Sequence, residues 1–337
     1  MFIMASKGIA LLSVFLVLVV PSQAQECPAA EDILPCSCNV DENNHVKLDC
    51  SDVTGEEELA SIMAKEFPSN EVFSLMIQYN MNLKTLKTTT LADKIFTEIH
   101  IQAGGLESVD AGACLGSVST LKKMDFRTNK LTVYPFDEIP QYTSLLQLRL
   151  GGNLFETFPH ISSPTLEFLD LHGHDFGAIP DGALSDLPSL EILFIYRAGL
   201  TEIPFETFEG TTKLRDIDIS YNQISRIEGL TMHGDDSYII ADHNQIVSSG
   251  LSANSFTGVK DYVSMWNNLV DVFDEATWRP LLEGGARLDI TDNPLKCDCT
   301  IAWLVLNGTL MNQLAYEPTC SNGAPISMLD PSLFEDC

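Results

Sequence analysis

Between residues 72 and 293 short apolar runs alternate with polar turns, and one arrangement returns ten times at intervals of roughly 21 to 26 residues. Its clearest copy is Leu214-x-x-Ile217-x-Ile219-x-x-Asn222-x-Ile224-x-x-Ile227. Leu121/Met124/Phe126/Asn129/Leu131, Leu145/Leu148/Leu150/Asn153/Phe155 and Leu190/Leu193/Ile195/Ala198/Leu200 keep the same spacing. The x-apolar-x-apolar-x stretch inside each copy has period two, so it predicts a short strand with one face in a core and one in solvent. No copy is large enough to bury its own apolar face, so the copies must stack on one another.

The spacing L-x-x-L-x-L-x-x-N/C-x-L resembles the leucine-rich repeat. The resemblance implies an α/β fold: a solenoid wound as a right-handed β-horseshoe. A parallel concave sheet lines its inside, with loops, short helical turns or 3-10 pieces outside. Aligned on the Asn position, the ten coils centre on Asn80, Gly104, Asn129, Asn153, His174, Ala198, Asn222, Asn244, Asn267 and Asn293. An amide there donates and accepts, so it satisfies backbone groups buried where the chain leaves the strand. His174 has both capacities and is expected to substitute for it.

The strand positions facing away from the core form three ladders. One reads Lys123, Gln147, Phe168, Ile192, Asp216, Tyr238. The central one reads Asp125, Arg149, Asp170, Phe194, Asp218, Ile240, Val263, and the third Arg127, Gly151, His172, Tyr196, Ser220, Asp242, Met265. Lys123, Arg127 and Arg149 then make a basic patch in coils three and four. Phe168, Ile192, Phe194 and Tyr196 make an apolar and aromatic patch in coils five and six. Tyr238, Ile240, Val263, Met265 and Trp266 continue it in coils eight and nine, interrupted by Asp216, Asp218 and Asp242. Contiguous apolar side chains on a solvent face mark an interaction site, and aromatics beside Arg and Asp are the composition of binding hot spots. The expected partner-binding residues are therefore Lys123, Arg127, Arg149, Phe168, Ile192, Phe194, Tyr196, Asp218, Tyr238, Asp242, Met265 and Trp266. Ala241 and Ser264 stand where this alignment asks for Leu, and a slip of one residue would exchange the two faces.

Lys7, the apolar run 9–20 and small Ser22 and Ala24 read as a signal peptide over residues 1–24. The run is too short to span a bilayer, and no later segment is long enough. A secreted protein without a membrane span follows as the expectation. The formal net charge of −28 argues against nucleic acid and anionic membrane surfaces as partners. Eight of the nine cysteines cluster as Cys27, Cys36, Cys38, Cys50 and Cys297, Cys299, Cys320, Cys337. In an oxidising compartment these read as two disulfide-bonded caps, one over each exposed end of the stack. The expected division is an N-terminal cap at 25–71, ten repeats at 72–292 and a C-terminal cap at 293–337. Spacing alone leaves three connectivities open in each cap. Cys114 aligns with Phe208 and Phe256 on the convex side and is expected to be a buried thiol.

Catalytic signatures are absent: no G-x-S-x-G, H-E-x-x-H or glycine-rich phosphate loop occurs. Asp170, His172 and His174 are the one tempting metal set, but His174 reads better as the turn amide's substitute. The pair Asp216/Asp218 is the one tempting acid dyad and reads better as solvated or partner-facing surface. No catalytic residue, metal or cofactor is expected. Asn307-Gly308-Thr309 is a glycosylation acceptor sequence.

Asn293-Pro294, Cys297-Asp298-Cys299 and Trp303-Leu304 together resemble the C-terminal cap of extracellular leucine-rich repeat proteins. That resemblance implies Cys297–Cys320 and Cys299–Cys337; its N-terminal counterpart implies Cys27–Cys38 and Cys36–Cys50. Residues 27–38, CPAAEDILPCSC, and the irregular coils after them resemble a crustacean group named for the non-catalytic subunit of the Oplophorus-type secreted luciferase. In that group a separate subunit carries the light-emitting chemistry, so the resemblance implies a binding partner and not an oxygenase; the outward ladders put a protein partner on the concave face. Two other readings stay open at this point: recognition of microbial or matrix glycans, and an enzyme with an acid or metal site of its own.

Overall fold

The computed structural model describes residues 25–337, so the expected signal peptide lies outside the described residues. The main sheet has twelve strands. Ten come from the repeats: Glu71–Gln78, Ile95–Gln102, Lys123–Asp125, Gln147–Arg149, Phe168–Asp170, Ile192–Phe194, Asp216–Asp218, Tyr238–Ile240, Tyr262–Ser264 and Arg287–Asp289. They pair in chain order and in parallel. The other two form an N-terminal hairpin. Ser37–Val40 runs antiparallel to Val46–Asp49, which pairs in parallel with the first repeat strand. The ten repeat strands are parallel as expected, and the cap adds one antiparallel strand at the sheet's first edge.

Pairing in register stacks the apolar positions into two buried columns. The first is Leu75, Ile99, Met124, Leu148, Leu169, Leu193, Ile217, Ile239, Val263 and Leu288. The second is Ile77, Ile101, Phe126, Leu150, Leu171, Ile195, Ile219, Ala241, Met265 and Ile290. This corrects the expected frame in coil nine. Tyr238, Ile239 and Ile240 pair with Tyr262, Val263 and Ser264, so Val263 and Met265 face the core and Ser264 faces out. Met265, expected on the binding face, is 0% exposed. The turn position is filled by Asn268, which is buried and donates to Ala241 O and Met265 O at 3.0 Å each. Asn267 lies outside it at φ 54°.

Cys27 is bonded to Cys38 and Cys36 to Cys50; Cys297 is bonded to Cys320 and Cys299 to Cys337. At the C-terminal end, helix Glu275–Glu283 starts with the Asp274 carboxylate accepting from Thr277 N at 3.0 Å, which satisfies an otherwise orphaned N–H. It buries Trp278 against Phe273. Trp303 stacks on the same Phe273 and donates to its carbonyl at 3.0 Å, which fastens the cap to the last coil. On the convex side Cys114 is buried in the place Phe208 and Phe256 hold elsewhere, and burial pushes its thiol up to about 12.

Candidate binding face

Side chains that face away from the two core columns are crowded together by the concave curvature, and most are half-buried. Ile192 sits between Phe168 and Asp216 on neighbouring strands, and Phe194 between Asp170 and Asp218. Phe168 and Phe194 meet edge to face at 5.2 Å, and Phe194 lies 6.5 Å from Tyr196. Tyr196 stacks on His172 at 4.4 Å. The four expected apolar residues of coils five and six are thus one contiguous group, packed on each other above the sheet. Gly151 makes room for its margin: a Cβ there would fall 2.1 Å from His172 Nδ1, so only glycine lets His172 lie across the neighbouring strand.

The expected basic patch is only partly free. Arg127 is held two-pronged by Asp125, at 2.9 and 2.8 Å. Arg149 stacks on Phe168 at 4.4 Å and donates to Gln147 Oε1 at 3.1 Å. Neither Arg149 nor Lys123 has a carboxylate at ion-pair distance among the described residues, in contrast to Arg127, His100 and His172.

Most central-ladder aspartates have a local task. Asp49, Asp125, Asp170, Asp218 and Asp289 each accept the backbone N–H two residues on, at 2.9 to 3.3 Å. Asp218 Oδ1 also takes the Ser220 hydroxyl at 2.5 Å. Asp242 accepts from Ser264 Oγ at 2.5 Å and Trp266 N at 2.9 Å. Asp216 has no hydrogen-bond donor among the described residues; burial, with the Asp218 charge beside it, raises its carboxyl above the ordinary range. Burial raises Asp242 likewise. Tyr238 is exposed at the rim and is held by Asp261, which raises its hydroxyl.

Asp170 and His172 are joined at 2.6 Å, but His174 turns into the core and meets the Leu171 carbonyl at 3.0 Å. That is the bond Asn222 makes to Ile219 O, so His174 does occupy the amide's place. Burial lowers its pKa, which keeps it neutral between Phe155 and Phe176. Among the described residues no group of three or more His, Cys, Asp or Glu is placed to hold a metal ion.

One feature lies beyond the expected set. Arg197, Tyr221 and His243 hold the left-handed turn position just past the third ladder. Arg197 lies over Tyr221 at 4.9 Å, Tyr221 stacks on His243 at 4.3 Å, and His243 meets Trp266 at 4.4 Å. Trp266 is 36% exposed and donates to Asp292 Oδ2 at 2.6 Å. The result is a row of planar side chains just past the third ladder, stacked from Arg197 to His243 and closed edge to face by Trp266. Recurrence of planar side chains one place beyond the period-two frame was the available sequence signal.

This architecture agrees with known proteins. The family model described as Leucine rich repeat matches residues 164–224. The chain is 35% identical over 321 residues to the Oplophorus-luciferin 2-monooxygenase non-catalytic subunit of Oplophorus gracilirostris, covering 94% of this chain and 89% of that protein. The chain belongs to that subunit's family. The chain also shares a segment with larger proteins. Leucine-rich repeats and immunoglobulin-like domains protein 1 of Homo sapiens is 28% identical over 68% of this chain but only 20% of its own length. Among solved structures, a chain from an octameric complex of Latrophilin 3, Unc5D and FLRT2 superposes with a TM-score of 0.65 at 19% identity, over 88% of this chain and 98% of that one. A chain of the mouse RP105/MD-1 complex gives 0.52 at 18% identity, over 82% and 44%. These two likenesses establish the fold. Among the described residues no helix is long and apolar enough to cross a membrane.

Proposed function

We propose that this protein is a secreted, non-catalytic binding subunit that holds a partner protein on its concave face. The partner we infer is the catalytic subunit of a secreted monooxygenase of the Oplophorus-luciferin type. One observation carries the concave assignment: Phe168, Ile192, Phe194 and Tyr196 form a contiguous apolar group on the open face of the sheet, outside the core columns. A stability role is already served by the columns beneath, so this group has no core to fill and fits a partner. The relative's name, non-catalytic subunit, supports a division of labour in which the chemistry resides elsewhere. The four cap disulfides accord with an oxidising compartment. Asn307, whose Oδ1 caps the short helix Gly308–Met311, is the proposed glycan site on the C-terminal cap.

The test is capture of the recombinant catalytic subunit by the immobilised protein, with melting measured on the same samples. Phe194→Ala is expected to weaken capture about tenfold or more, as for a hot-spot aromatic. Its melting temperature should stay close to that of the parent. An unfolded variant, or undiminished capture, would remove the concave face from the mechanism.

A further inference from the structure

Charge is not spread evenly over the concave face. On a chain with a net charge of −28, the cations Lys123 and Arg149 lie diagonally on neighbouring strands. Lys123 is between Glu98 and Gln147, and Arg149 is between Asp125 and Asp170, which are already bonded to Arg127 and His172. Neither cation has a carboxylate at ion-pair distance among the described residues. Arg149 is braced flat against Phe168, so its guanidinium edge is oriented with little freedom to lose. Beyond the two strands that carry Phe168 and Phe194 lies the opposite sign. Asp216 has no donor, and Asp218 uses only Oδ1 locally, at Ser220. From strand Gln147–Arg149 to strand Asp216–Asp218 is three strand steps, about 14 Å at the usual spacing. Positive, apolar and negative zones thus follow one another along the sheet.

We propose that this face reads polarity: it takes a partner segment with a carboxylate at one end, an apolar middle and a Lys or Arg at the other. The acidic end lies at Lys123 and Arg149, and the basic end at Asp216 and Asp218. The proposal rests on the concave face being the binding face. Its physical content is orientation. A segment seated the wrong way round places like charges together, which disfavours that pose and selects one direction of docking.

Three fluorescent Ala/Leu peptides of about fourteen residues, roughly 20 Å as helices, provide the test. One has Glu at one end and Lys at the other, one has Glu at both ends, and one has Lys at both. Fluorescence anisotropy at low salt should give the mixed peptide about tenfold tighter binding than either other, with the difference shrinking near 0.3 M salt. Arg149→Glu should shift preference to the Lys-ended peptide, and Asp216→Lys with Asp218→Lys to the Glu-ended one. If the Lys pair does not fold, Asp216→Asn with Asp218→Asn should weaken the mixed peptide and leave the Glu-ended one unweakened. Equal binding of the Lys-ended and mixed peptides would overturn the proposal, since net charge would then account for everything; so would no binding by any peptide. Phe194→Ala separates the two levels. If it weakens all three peptides alike and no charge preference exists, only the polarity fails. If it leaves the mixed peptide as tightly bound as before, the concave-face reading fails with it.

Discussion

Asn222 Oδ1 accepts, at 2.8 Å, the backbone N–H of Ala198, the residue that holds its own place one coil earlier. It also accepts from Leu200 N at 3.2 Å, while its amide donates to Ile195 O and Ile219 O at 3.0 and 2.8 Å. Asn129 serves Gly104 in the same way, at 3.2 Å. A coil without the amide is therefore supported by the next one, and the ladder works across coils.

Asn222→Ala should accordingly strand buried groups in two coils and cost about 1–3 kcal/mol. Asn153→Ala should cost less, because Asn153 Oδ1 accepts only from Leu131 N in the preceding coil. Urea unfolding of both variants decides this. Equal losses would mean that the support of Ala198 contributes nothing.

Met265 and Trp266 are neighbours with opposite surroundings. Met265→Ala should cost about 2–5 kcal/mol as a core truncation. Trp266→Ala should change stability by less than about 1 kcal/mol, since no core contact is lost. A Met265→Ala loss below about 1 kcal/mol would return coil nine to the frame expected from sequence, which put both side chains on the open face.

Asp216 has its folded pKa raised by burial above the ordinary 3.8. A raised carboxylate is held in its charged form at a disadvantage when folded, so it destabilises at neutral pH, and acidification through the raised value relieves this. Asp216→Asn should therefore melt above the parent at pH 7, with the gap closing as pH falls toward 4. A gap that widens on acidification would contradict the burial argument.

Gly151→Ala places a methyl where His172 lies. His172 should leave both Asp170 and Tyr196, at a cost of about 1–3 kcal/mol for the forced displacement. The His172 ring resonances in an NMR spectrum should move with the loss of the Tyr196 stack; unchanged resonances would show that the ring does not lie there.

The core was legible because each strand keeps a period of two and each coil repeats its spacing, so an inward leucine such as Leu193 is marked by both. Coil nine was not, because Asn267 and Asn268 both offer an amide and Ala241 and Ser264 blur the contrast between faces. The hairpin at Ser37–Val40 escaped because its pattern is set by Cys36 and Cys38, not by apolar alternation. The central aspartates read as surface charge in sequence, while their geometry makes five of them acceptors for the strand exit. The row of Arg197, Tyr221 and His243 sits at left-handed residues, outside any strand periodicity. The aromatic residues Phe168, Phe194 and Tyr196 fell on the outward face as the pattern placed them.

The two ends of the main sheet set how anything can be recognised there. At the first edge, Ser37–Val40 turns back antiparallel and is only four residues long, with Cys36 and Cys38 locked in disulfides around it. At the last, Leu288 exchanges hydrogen bonds with Gln313 O and Ala315 N, at 3.0 and 2.8 Å, so the C-terminal cap lies along the final strand. A visiting peptide therefore finds little exposed backbone to zip onto. The usual bargain of an open sheet, main-chain affinity that is indifferent to side chains, is withdrawn at both borders. Whatever docks must be chosen by its side chains, and homologous coils can diverge in ligand by changing outward residues alone without disturbing a single inter-strand bond.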